Sequence, residues 1–127
     1  MPKTKGALFV CLGNICRSPI AEAVFQHLIK DRGISDQWRV DSAGLGGWHT
    51  GNLADSRARA TLAQHNIQYD NRARQIDPQD FHDFDYIFGM DNNNISSLKR
   101  EAPNNSKAKI LLLGSFDPEG VGNPGRY

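Results

Sequence analysis

The stretch Ala7-Leu8-Phe9-Val10-Cys11-Leu12-Gly13-Asn14-Ile15-Cys16-Arg17-Ser18-Pro19 decides the fold. Its first four residues are a continuous apolar run, the pattern of a buried strand, and Ser18-Pro19-Ile20-Ala21-Glu22 reads as a helix start with proline in the first turn. A cysteine therefore stands where a strand ends and a helix begins. Five residues separate Cys11 from Arg17, enough backbone to curl into a concave loop whose N–H groups point at an anion. Such a loop is a phosphate cradle with a nucleophile at its floor.

Outward from this stretch, three more apolar runs follow: Trp38 to Ala43, Tyr86 to Met90 and Ala108 to Leu113. In the first gap Ile20, Ala23, Val24, His27 and Leu28 recur at helical spacing, predicting an amphipathic helix that ends near Gly33. The second gap predicts a helix over Ala54 to Asn66, with Ala58, Leu62 and His65 on one face, and a further short start at Asp77-Pro78-Gln79-Asp80. The third opens at the capping residue Asp91, runs through Ile95 and Leu98, and stops before Pro103. Continuous apolar strands alternating with helices predict an α/β fold: a three-layer, four-stranded parallel sheet with helices on both faces and the phosphate loop after the first strand. Ligands of such sheets bind beyond the carboxyl ends of the strands, where this loop lies.

The chain has 127 residues, a single-domain length with room for one core. Its 15 basic and 14 acidic side chains leave a formal charge of +1, which gives no reason to expect a nucleic-acid or membrane-surface partner. No apolar run approaches the roughly 18–20 residues of a membrane span, so the expectation is a cytoplasmic protein. Both cysteines, Cys11 and Cys16, fall inside the opening stretch, which argues for thiol chemistry at one place and against a disulfide scaffold.

A thiolate is the nucleophilic form of cysteine, and a helix N-terminus, an arginine and inward N–H groups all favour it. Arg17 offers a planar fork to two oxygens of a bound phosphate. Gly13 permits close backbone approach, Asn14 tolerates the left-handed conformation and holds the loop by hydrogen bonds, and Ser18 carries a hydroxyl able to reach the sulfur and assist it as a leaving group. This chemistry calls for no metal and no other cofactor. The histidines His27, His49, His65 and His82 show no ligand spacing, and Asp77, Asp80, Asp83 and Asp85 read as capping and solvation.

Cys11-Leu12-Gly13-Asn14-Ile15-Cys16-Arg17-Ser18 resembles, without a mismatch, the phosphate loop of the low-molecular-weight protein tyrosine phosphatases. Asp41-Ser42-Ala43-Gly44 and the segment from Asp85-Tyr86-Ile87 to Met90-Asp91 resemble later family segments, so that the similarity runs from Gly6 to Pro118. The resemblance implies a phosphatase that hydrolyses phosphotyrosine and small aryl phosphates through a phosphocysteine intermediate. Its partners would be tyrosine-phosphorylated proteins, with inorganic phosphate and similar oxyanions as inhibitors. By the same resemblance Cys11 is the nucleophile, Arg17 the phosphate clamp, residues 12–18 the phosphate-binding loop, and Asn14, Ser18 and Ser42 its hydrogen-bonded support. Cys16 matches a second cysteine that traps an oxidised Cys11 as a disulfide. Trp48, with Leu12 and Ile15, matches the wall of the substrate cleft.

Two departures stand out. Asn71 precedes Arg72-Ala73-Arg74-Gln75 where the family often has a histidine in the supporting network. The family's general acid is an Asp-Pro followed by two aromatic residues, whereas here Asp117-Pro118 leads into Glu119-Gly120. Asp117 thus resembles an earlier, non-catalytic Asp-Pro, and the expectation is one phosphatase domain over residues 1–127 without the family's acid loop and last helix. Two alternatives remain at this point. An arsenate reductase of the same fold would need a distal cysteine pair. A phosphate- or phosphotyrosine-binding chain without the acid would turn over little.

Overall fold

Four apolar runs pair as strands, and in the computed structural model, which describes residues 5–15 and 17–116, they lie parallel. They are β1 (Lys5–Cys11), β2 (Trp38–Gly44), β3 (Tyr86–Gly89) and β4 (Lys109–Leu112), in the order β2-β1-β3-β4. The order reverses at β1, whose carboxyl end carries the loop. Pairing sets Cys11 opposite Gly44 and Val10 opposite Gly89.

Strand alternation divides the core in two. On one face Leu8, Val10, Ala43 and Ile87 pack with Phe81, Phe84 and Leu98; on the other Ala7, Phe9, Cys11 and Met90 pack with Ala21, Phe25, Trp38 and Phe88. The second face is covered by α1 (Arg17–Asp31), and the first by α3 (Asp80–Asp83) and α4 (Asn92–Glu101). Helix α2 (Ser56–Gln64) packs beside α1 through Leu62, Ala54, Tyr69 and Ala23. This is the expected three-layer α/β fold.

Helix ends follow the sequence signals. Gly33 adopts φ +71, and Ile34 N–H reaches the Ile29 carbonyl at 2.9 Å, closing α1 with a left-handed glycine. Asp91 caps α4 by accepting the Asn94 N–H at 2.8 Å. The inward face of α1 differs from the apolar periodicity. Its buried residues are Ser18, Pro19, Glu22, Ala23 and Ile29, whereas Val24 and Leu28 are exposed and His27 pairs with Asp31 at 3.3 Å. The small residues and Glu22 face inward because this side of α1 backs the loop, and polar contacts there outweigh apolar burial. His65 is likewise exposed, at the end of α2. The expected start at Asp77 yields only the single turn of α3.

Candidate active site

Cys11 ends β1 with its thiol buried, 2% exposed. Ser18 Oγ lies 3.0 Å from Cys11 Sγ, and the Asn14 backbone N–H donates to the same sulfur at 3.2 Å. Asn14 sits at φ +60, the left-handed conformation that asparagine adopts more readily than most residues. Three side-chain contacts hold it there: Nδ2 donates to Ser18 Oγ at 2.9 Å and to Ser42 Oγ at 3.0 Å, while Oδ1 accepts the Arg74 N–H at 2.9 Å. The three residues expected to support the loop are thus brought together around it.

The end of β2 presses against the loop. Leu45 N–H and Gly46 N–H donate to the carbonyls of Cys11 and Leu12 at 3.0 and 2.9 Å. A Cβ on Gly44 would stand 3.0 Å from the Gly13 carbonyl carbon and 3.1 Å from Asn14 Cβ, so glycine permits the close approach. The strand is itself bridged to residues 74–76, through Gly44 N–H to the Arg74 carbonyl and Ile76 N–H to the Gly44 carbonyl, both 2.8 Å. The Arg74 side chain pins this segment to Asp41 at 3.0 Å and Asp80 at 2.9 Å.

Behind Ser42 lies Glu22, 1% exposed. Its Oε1 accepts from Ser42 Oγ and Tyr69 Oη, each at 2.6 Å, and its Oε2 accepts from Asn71 Nδ2 at 2.8 Å. Burial pushes the Glu22 carboxyl up from its ordinary value of 4.5, against the opposing pull of these hydrogen bonds. Burial first, and then the bond to Glu22, push the Tyr69 hydroxyl up as well. Asn71, standing where a histidine was expected, makes its contact to Glu22.

Arg17 reaches Asp91 at the start of α4, 3.1 Å away and partly exposed. The rim is apolar: Leu12 is 57% and Trp48 70% exposed, with Ile15 half-buried between them in sequence. The Trp48 indole lies directly over Gly46, where a Cβ would meet it at 1.9 Å. Cys16 and Asp117 lie outside the described residues.

Sequence reasoning missed Glu22, Tyr69, Arg74 and Asp91. Glu22 carried a local signal, being one helical turn past Ser18 on a face of small residues, and Asp91 carried one only as a helix cap. Arg74 meets the loop from 60 positions away and Asp91 from 74, while Tyr69 meets Glu22 from 47.

A buried thiol between a hydroxyl and a backbone N–H, at the carboxyl edge of a parallel sheet with an arginine in the same loop, defines a class. Such proteins present a cysteine nucleophile to an oxyanion. The family model described as low molecular weight phosphotyrosine protein phosphatase matches residues 7–123. A Drosophila melanogaster low molecular weight phosphotyrosine protein phosphatase 2 is 51% identical over 109 residues, covering 86% of this chain and 66% of the relative. The human low molecular weight phosphotyrosine protein phosphatase is 52% identical over 118 residues, covering 91% and 75%. The crystal structure of Primo-1 superposes with a TM-score of 0.85 at 53% identity, over 88% of this chain and 72% of that one. The chain belongs to the low molecular weight phosphotyrosine protein phosphatase family, and it spans about two thirds to three quarters of the length of these relatives.

Proposed function

We propose that the chain is a cysteine-dependent protein tyrosine phosphatase, acting on phosphotyrosine in proteins and on small aryl phosphates in the cytoplasm. The observation that carries this reading is the Cys11 sulfur, held between the Ser18 hydroxyl and the Asn14 N–H. Both donors stabilise a thiolate.

In the reaction the Cys11 thiolate attacks phosphorus opposite the aryl oxygen. The S–P bond forms as the P–O bond breaks, and the aryl oxygen leaves as the phenolate, which takes its proton from water. Arg17 moves from Asp91 onto two equatorial oxygens, whose charge it neutralises through the transfer. Water then attacks the phosphocysteine, the S–P bond breaks, and the Ser18 hydroxyl stabilises the departing thiolate while inorganic phosphate is released. Leu12, Ile15 and Trp48 supply apolar walls for the ring, at a depth that favours phosphotyrosine over the shorter phosphoserine. Among the described residues no helix is long and apolar enough to cross a membrane.

The test is hydrolysis of p-nitrophenyl phosphate and of a phosphotyrosine peptide by the wild-type chain and by Cys11→Ser. Turnover that the substitution abolishes, with inorganic phosphate as a competitive inhibitor, supports the reading. Equal rates in both chains refute it, and phosphate binding without turnover would leave a binding module instead.

A further inference from the structure

Glu22 is buried one turn beyond Ser18, and the phosphoryl transfer above does not use it. The groups that hydrogen-bond it are neutral: Ser42 from β2, Tyr69 and Asn71 from the segment after α2, and Gln26 from its own helix at 3.5 Å. The charged residues nearby do not offset it. Asp41 opposes a second negative charge, and the Arg74 guanidinium is engaged by Asp41 and Asp80. A buried carboxylate with only neutral donors costs stability, and an amide of the same shape would cost less. The position therefore calls for an explanation in the site.

We propose that Glu22 is a positioning residue for the nucleophile: its carboxylate takes the Ser42 hydroxyl proton and so fixes the direction of a hydrogen-bond chain that runs through Asn14 and Ser18 to the Cys11 sulfur. The direction follows from counting protons. Asn14 Oδ1 is occupied by the Arg74 N–H, so both Nδ2 protons go outward, one to Ser42 Oγ and one to Ser18 Oγ. Each serine oxygen accepts from Asn14 and has one proton of its own to place. With Cys11 as the thiolate, Ser18 places its proton on Sγ, and Ser42 places its proton on Glu22 Oε1. Four donors around the two Glu22 oxygens match an ionised carboxylate, an acceptor at every lone pair. Without that acceptor the Ser42 proton is left to the longer contact with the Tyr69 hydroxyl at 3.4 Å, and the Ser42 oxygen reorients away from Asn14 Nδ2. The amide that holds φ +60 then loses its arrangement, and the Asn14 N–H and the Ser18 hydroxyl lose their aim at sulfur.

The inference rests on Cys11 being the nucleophile, and the experiment separates the two. With p-nitrophenyl phosphate as substrate, kcat, KM and thermal midpoint are measured at pH 7 for wild type, Cys11→Ser, Glu22→Gln, Ser42→Ala and the double variant. Glu22→Gln keeps the volume; with its amide oxygen accepting from Asn71, its NH2 faces the Ser42 and Tyr69 hydroxyls and takes away the acceptor of the Ser42 proton. It is expected to lower kcat about tenfold with KM within about twofold, while melting above wild type. Ser42→Ala is expected to lower kcat to a similar extent, and the double variant no further, because both act along one path. Wild-type kcat in Glu22→Gln, a melting point below wild type in that variant, or losses that multiply in the double variant would each overturn the positioning role while leaving the phosphatase reading intact. Undiminished activity in Cys11→Ser would remove both.

Discussion

Behind Cys11 the loop leans on polar side chains that are almost wholly buried, Asn14, Ser18, Ser42 and Glu22, with Asn14 donating to both serines and Ser42 to Glu22. In front, the rim consists of Leu12 and Trp48, more than half exposed and positioned by packing. The two sides obey different physics. A directed polar network has one satisfied arrangement, so a single altered member is felt along the whole chain of bonds. Dispersion contacts at an exposed rim are undirected and degrade gradually. Changes behind the sulfur should therefore appear in kcat, and changes at the rim in KM.

The sharpest break is Arg17→Ala, which removes the clamp that belongs to neither side. It is expected to lower kcat/KM by about 10³-fold in steady-state hydrolysis of p-nitrophenyl phosphate. Asn14→Ala comes next, because alanine at φ +60 is strained and also ends three hydrogen bonds. A kcat loss on the order of 10²-fold, with the melting point lowered too, would confirm that the back of the site is a unit. Trp48→Ala should raise KM for a phosphotyrosine peptide by roughly three- to tenfold and leave kcat nearly unchanged. A kcat effect there as large as that of Asn14→Ala would erase the distinction between the two sides.

The smallest effect is on stability and its sign is fixed by burial. Glu22 has a folded-state pKa raised above its unfolded value of 4.5, so the folded chain holds that proton more tightly. The corresponding stability is complete below pH 4.5 and is lost as pH rises through the raised value. Glu22→Gln should accordingly melt with wild type at low pH and above it at neutral pH. Parallel melting curves across that range would mean that the carboxylate is not buried as charge.

The strands were legible in the sequence to within one or two residues, because β1, β3 and β4 are short, mostly apolar runs and such signals are local; β2, at the sheet edge, interleaves Arg39, Asp41 and Ser42 with Trp38, Val40 and Ala43. Cys11, Gly13, Asn14, Arg17 and Ser18 were legible for the same reason, lying in one continuous loop. The inward face of α1 was not. Apolar periodicity pointed to Val24 and Leu28, whereas the helix turns Glu22 inward because the partners of Glu22 lie on β2 and after α2, 20 to 49 positions away. Long-range hydrogen bonds leave no periodic trace. Tyr69 and Arg74 escaped for that reason, and Asn71 was noticed only where it departed from a resemblance.

Asp91 divides its carboxylate between two tasks: Oδ1 holds the first turn of α4 at the Asn94 amide, and Oδ2 holds Arg17. Thermodynamic linkage makes that division reciprocal. An oxyanion that draws Arg17 away changes the charge felt by the helix cap, and a fraying of the cap changes how readily Arg17 is released. The exchange rate of the Asn94 amide proton with solvent thus reports on occupancy of the loop from outside it, without a label in the site.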